Sequence, residues 1–142
     1  MNNTRIDWDE YFYNIAKDVS LRSTCLRRKY GAVIVDKNKR IVATGYNGAA
    51  RDEIDCLTKG ICWREEHNVP HGTMYEKCLA VHAECNAIIN CDPKYFDGTS
   101  EIYIYGSIND GDKGLIPCSG EPCLMCARMI KNAKLKAHYK TF

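Results

Sequence analysis

No apolar stretch of this 142-residue chain is long enough to cross a bilayer. The longest runs, Gly31–Val35 and Ala87–Ile89, fall far short of the roughly 20 residues a spanning helix needs. The opening residues, Met1-Asn2-Asn3-Thr4-Arg5-Ile6-Asp7-Trp8, lack the apolar segment of a secretion signal, so a cytoplasmic location and no membrane partner are expected. An excess of charge of either sign is missing as well. Twenty Lys+Arg stand against eighteen Asp+Glu, a net +2, which gives no general footprint for a polyanion, and no nucleic-acid partner is expected. Internal repeats and low-complexity tracts are absent. The length suits a single domain over residues 1–142, and a hydrophobic content of 45% allows a core without disulfide staples.

Cysteine is what the chain has in abundance: nine, an odd number, with no secretion signal to suggest a disulfide framework. In a reducing compartment such a load points to metal ligation. Cys85 and Cys91, inside a helical pattern, and Cys118 are expected to be small core hydrophobes instead.

The hydrophobic pattern predicts an α/β arrangement. Asp7-Trp8-Asp9-Glu10 has the form of a capping box, and the apolar residues that follow at helical spacing predict a helix over 8–23. Ala32–Val35 and Ile41–Thr44, separated by the polar Asp36–Arg40, predict a β-hairpin leading into Gly45-Tyr46-Asn47-Gly48. From Ala49 to Lys77 no period is sustained, and a loop of that length in a compact domain needs something to pin it. A helix is predicted over 81–91, a half-buried strand over 101–105, and a loop over 107–120. Pro122 suits the first turn of a helix reaching about Ala133, followed by a last strand in Leu135–Lys140.

Two fragments carry chemistry: His82-Ala83-Glu84 and Pro122-Cys123-Leu124-Met125-Cys126. A Cys-x-x-Cys by itself is equally a redox pair or half of a zinc site. Together and in this order the fragments form the H-x-E…P-C-x-x-C pattern of zinc nucleobase deaminases. Cys123 and Cys126 share one helical face and reach one ion, and a helix N-terminus favours their thiolates. His82 makes a third ligand and leaves a tetrahedral position open for water, as a catalytic zinc requires. Two thiolates cancel the charge of the ion, so its water is less acidified than beside three histidines, and a general base is wanted nearby. Glu84 is expected to be that base, ligating nothing itself.

Over most of its length the sequence resembles the deoxycytidylate deaminases of the cytidine deaminase superfamily. The resemblance rests on Arg22–Val35, on Thr44-Gly45-Tyr46-Asn47-Gly48, on His82–Ile88 and on Pro122–Ile130. It implies a three-layer cytidine deaminase-like fold, a mixed central sheet with helices on both faces. It implies hydrolysis of dCMP to dUMP and ammonia in pyrimidine deoxynucleotide metabolism, with a nucleotide bound and Asn47 at its sugar. Arg27, Arg28 and Lys29 are candidates for a 5′-phosphate, or else a solvated basic turn. In one branch of the family, counterparts of Cys25, Cys56, Cys62 and Cys78 go with a second, structural zinc, and His67 or His71 is an alternative ligand for one of them. The resemblance further implies a homo-oligomer, dimer or hexamer, for which Tyr103, Tyr105 and Tyr139 are candidate interface aromatics. Ala49-Ala50-Arg51-Asp52 departs from the family's proline- and glycine-containing loop, which argues against control by a triphosphate. The rival readings are deamination of dCTP or cytidine, and a non-catalytic zinc-binding interaction module.

Overall fold

The computed structural model describes residues 4–70 and 78–142. Helix α1 spans Trp8–Ser20, and the Asp7 side chain caps it by accepting from the Glu10 amide at 2.8 Å. It stops three residues before the predicted Ser23. Leu21, Arg22 and Ser23 donate instead to the carbonyls three residues back, the tightening common at a helix end.

Strands β1 (Arg28–Val35) and β2 (Ile41–Tyr46) form the expected antiparallel hairpin, with Gly31 opposite Tyr46 and Ala32 opposite Gly45. The other edge of β1 pairs with β5 (Glu101–Asn109), again antiparallel. The outer edge of β5 is shared. Its first residues take the parallel strand β7 (Lys136–His138), and its last four take the antiparallel strand β6 (Leu115–Cys118). The resulting five-stranded sheet is mixed, in the order β2-β1-β5-β6 with β7 also on β5.

Strand β6 corrects the loop predicted over 107–120. The segment reads as a loop because it is polar and contains glycines, yet β6 forms at the sheet edge, a position that tolerates Pro117. Gly111 and Gly114, both at positive φ, supply the reversal between β5 and β6.

Alternation along β1 sends Ala32 and Ile34 to one face and Val33 and Val35 to the other, and both faces are covered. Phe12, Tyr13 and Ala16 of α1 pack on Val33, Val35, Tyr103 and Tyr105. Helices α4 (Ala83–Asn90) and α5 (Leu124–Asn132) cover the opposite face through Ala83, Ala87 and Ile130 against Ala32, Ile34, Ile102 and Ile104. These are the three layers of the expected fold. Tyr103 and Tyr105 are therefore core residues, 1% and 7% exposed, and not the interface aromatics they resemble in sequence. The strand over 101–105 is buried on both faces, not half-buried, because α1 claims the tyrosine side. Of the cysteines expected to be structural, Cys91 is buried in the core, while Cys85 and Cys118 are half-buried.

Two close approaches fix α4, which carries part of the site. A Cβ on Gly45 would overlap the backbone of Ala83 and Ala87, so only glycine lets β2 lie against the first turns of α4. The side chains of Asn86 and Asn90 donate to the carbonyls of Tyr46 and Thr44 at 2.8 and 2.9 Å, satisfying the outer edge of β2. In the aperiodic segment the described residues hold a two-residue strand β3 (Gly48–Ala49) and two four-residue helices, α2 (Cys56–Lys59) and α3 (Trp63–Glu66). Strand β3 pairs with β4 (Ala80–Val81), which leads directly into His82. Among the described residues no helix is long and apolar enough to cross a membrane.

Candidate metal centre and cavity

His82 is the N-cap of α4 and Cys123 the N-cap of α5, so each precedes the helix its sequence fragment announces. This corrects the starts predicted at 81 and near Pro122. It matters because a cap residue has extended φ/ψ and turns its side chain toward the helix end. The Nδ1 atom of His82 lies 3.5 Å from Cys123 Sγ and 3.4 Å from Cys126 Sγ. All three ligand atoms fall within 4.8 Å of one another, and they form the only such group among the described residues. The Cys126 amide donates to Cys123 Sγ at 3.5 Å, an N-cap bond that fixes the sulfur at the start of α5.

The electrostatics suit a cation. Burial pushes the His82 imidazole below its usual range, keeping the ring neutral with a lone pair to give. Burial pushes the Cys126 thiol well up, and the negative charges of Glu84 and Cys123 push it further. The carboxyl group of Glu84, 6% exposed, is also raised by burial, partly offset by its own amide and by the Cys126 thiol donating to it. Glu84 and Cys126 are thus held in their protonated forms, and a cation at the point that they share would favour the charged ones instead. One imidazole nitrogen and two sulfurs at these separations are the soft, three-ligand donor set of a zinc ion with an open position.

His82, Glu84 and Cys123 line a cavity of about 610 Å³. Asn47 lines it too, but much of its side chain is committed. Its Oδ1 accepts from the Tyr30 amide at 2.8 Å, and its Nδ2 donates to the Arg28 carbonyl at 2.9 Å. Cys25, Cys56, Cys62 and Cys78 line the same cavity. Burial pushes the Cys56 thiol up, and the charges of Cys62, Cys25 and Cys78 add to that, so the four are neighbours. No three of their sulfurs come within the 4.8 Å that the first group reaches. His67 stacks on Trp63, its Nδ1 lying 2.9 Å from the Trp63 carbonyl, and it is not part of the cavity lining. His71 lies outside the described residues.

Thr24, Tyr30, Arg64 and Glu121 also line the cavity and were not singled out in the sequence. Tyr30 was accessible to reasoning, since it alternates with Ala32 onto the face of α4. Arg64 was not, because it falls where no period exists.

A mixed sheet between helical layers, with a histidine and a Cys-x-x-Cys meeting beside a buried carboxyl group, defines a zinc-dependent hydrolase site in an α/β/α sandwich. The sequence model of the cytidine and deoxycytidylate deaminase zinc-binding region matches residues 6–140. The chain belongs to that family.

Among its relatives, a deoxycytidylate deaminase of Mycobacterium phage D29 is 38% identical over 132 residues, 89% of this chain and 88% of the phage protein. A deoxycytidylate deaminase of Schizosaccharomyces pombe is 33% identical over 135 residues, 95% of this chain but 37% of the yeast protein. The chain thus spans most of the phage relative and a little over a third of the yeast one. The fold is that of the dCMP deaminase from cyanophage S-TIM5, solved in complex with dCMP and dUMP. The TM-score is 0.56 at 20% identity, covering 96% of this chain and 86% of that one.

Proposed function

We propose that this chain hydrolyses dCMP to dUMP and ammonia. The observation that carries the reading is the convergence of His82 Nδ1 with the sulfurs of Cys123 and Cys126 beside the buried Glu84. His82, Cys123 and Cys126 would hold a zinc ion, which when bound supplies a Lewis acid that makes water acidic enough to attack near neutral pH. Glu84 would take one proton from the attacking water as the water oxygen bonds to C4 of the cytosine ring, and would deliver that proton to N3. It then moves the second proton of the water to the exocyclic amine, and the C4–N bond breaks to release ammonia. Asn47, whose Nδ2 has a second hydrogen besides the one given to Arg28, is assigned to the sugar.

The test is ammonia release by the purified full chain from dCMP, dCTP, deoxycytidine and cytidine. The highest kcat/KM is expected with dCMP; turnover of cytidine but not dCMP would overturn the substrate assignment.

Cys25, Cys56, Cys62 and Cys78 are assigned to a second, structural zinc that pins the aperiodic segment. Their shared cavity wall and the mutual charge effects on Cys56 support this, and four closed ligands would clamp a loop that has little periodic structure of its own. Protein grown with excess zinc is expected to carry about two ions per chain. A firm value near one would contradict the second site. The chain is further assigned to one domain, to the cytoplasm and to a homo-oligomer, dimer or hexamer, with Tyr139 as the exposed aromatic still available to an interface.

A further inference from the structure

We infer a second binding site, on the sheet face away from the metal centre. The cleft between the first turn of α1 and β7 takes a small aliphatic diamine, its ammonium groups held by Asp9, Glu10 and Tyr13.

The cleft encloses about 440 Å³, within the range of small-molecule sites. Asp7, Asp9 and Glu10 line it from α1, and Tyr103 and His138 line it from the paired strands β5 and β7. The helix accounts for part of this acidity without a ligand. Asp7 caps α1, and carboxylates in a first turn oppose the partial positive charge there. Three full charges exceed that partial one. Among the described residues each carboxylate is engaged through a single oxygen: Asp7 Oδ1 by the Glu10 amide, Asp9 Oδ1 by the Tyr103 hydroxyl at 2.7 Å, and Glu10 Oε2 by Lys140 at 3.3 Å.

Two further observations point to a ligand. Tyr13 also lines the cleft; it is 7% exposed, and its hydroxyl is buried with no hydrogen-bond partner among the described residues. A buried hydroxyl left unpaired is costly, and an N–H donor entering the cleft relieves that cost. The other observation is a cation already in place. Lys140 Nζ lies 4.4 Å from the centre of the Tyr13 ring, a cation–π distance, while it pairs with Glu10. The Lys140 side chain is half exposed, so it can withdraw to water and yield its position.

The geometry also selects the kind of cation. Among the described residues no three ligand atoms of this cluster come within 4.8 Å of one another, which disfavours a compact metal ion. Spread carboxylates beside an aromatic ring suit an alkylammonium instead. His138 is occupied by Glu101 at 2.8 Å, and Lys140 offsets one of the three carboxylates. The excess is two negative charges, the number a diamine matches.

Calorimetry on the full chain tests this without recourse to turnover. Putrescine is expected to bind, and the uncharged diol of the same length is not. In D9N/E10Q the affinity for putrescine is expected to fall by about 10- to 100-fold, the range of lost charge-assisted hydrogen bonds. Tyr13→Phe keeps the ring and removes only the unpaired hydroxyl. It should weaken binding by about threefold or more while the melting temperature stays at or above native, which a merely structural hydroxyl would not do. Lys140→Gln removes the internal competitor and should tighten binding by about three- to tenfold. D110N/D112N, at exposed acids of the β5–β6 turn, should stay within about threefold of native, which separates a built site from general attraction. No binding of putrescine, equal binding of the diol, or an equal loss in D110N/D112N would overturn the inference. Asp9 also holds Tyr103, so if D9N/E10Q does not fold, the other two variants decide: native affinity in both Tyr13→Phe and Lys140→Gln would overturn it as well.

Discussion

Glu84→Gln is expected to lower turnover of dCMP by about 100- to 10,000-fold while leaving zinc content and melting temperature near their native values. The size follows from the work assigned to this carboxyl group. It takes a proton from water, protonates the ring and then protonates the leaving amine, and a carboxamide can do none of these. The preservation follows from where it sits. Glu84 is in the first turn of α4 and 6% exposed, and glutamine fills the same volume. Burial already disfavours the charged carboxylate, and its negative charge pushes the Cys126 thiol up, so removing it costs the metal ligands nothing. Ammonia release under saturating dCMP, set beside metal analysis of the same preparation, checks both halves. Activity within about threefold of native would remove Glu84 from the mechanism.

Cys126→Ser is expected to abolish both zinc retention and turnover. Cys126 is 1% exposed, and its sulfur faces His82 Nδ1 at 3.4 Å within the one three-ligand group among the described residues. A serine hydroxyl stays protonated near neutrality and is a poor partner for zinc. Changes in residues that merely orient a ligand cost about 10- to 100-fold in metal affinity, and removal of the ligand itself should exceed that. The melting temperature should fall as well, because an ion that binds only the folded chain stabilises it. Competition with a chromogenic chelator measures the affinity directly. A variant that keeps its catalytic zinc at native affinity would show that the ion is held elsewhere.

The chemistry of the site was legible in the sequence because it lies at helix starts, where short fragments with fixed spacing determine which side chains share a direction. His82, Glu84, Cys123 and Cys126 could be drawn together on paper, and they meet in space. The three layers were legible only through resemblance. Composition and period announced a sheet with helices, but not that α1 would cover the face of β5 bearing Tyr103 and Tyr105. Tyrosine reads as half-exposed in an alternating strand, and only the aromatic residues of α1 make it core.

Strand β6 was hidden by the polar, glycine-containing character of its segment, and it forms at a sheet edge, where Pro117 is tolerated. The aperiodic segment stayed opaque for a different reason. Its helices are four residues each, too short for a hydrophobic period, and Arg64 and the cysteines it brings to the cavity are positioned by tertiary contacts. That Arg28 lines the cavity and Lys29 does not needed only the alternation of β1, once it was known that the strand begins at Arg28 and not at Ala32; Arg27 precedes the strand and does not follow from it.

The proposed activity depends on a zinc ion held by His82, Cys123 and Cys126. Its most direct test is an anomalous-difference map at the zinc edge, from crystals of protein shown to release ammonia from dCMP. The expected result is a peak bonded to His82 Nδ1 and to both sulfurs, about 2.0–2.3 Å from each, with the Glu84 carboxyl group outside bonding distance. Active protein with no peak at that position, or with Glu84 bound to the metal as a ligand, would contradict it.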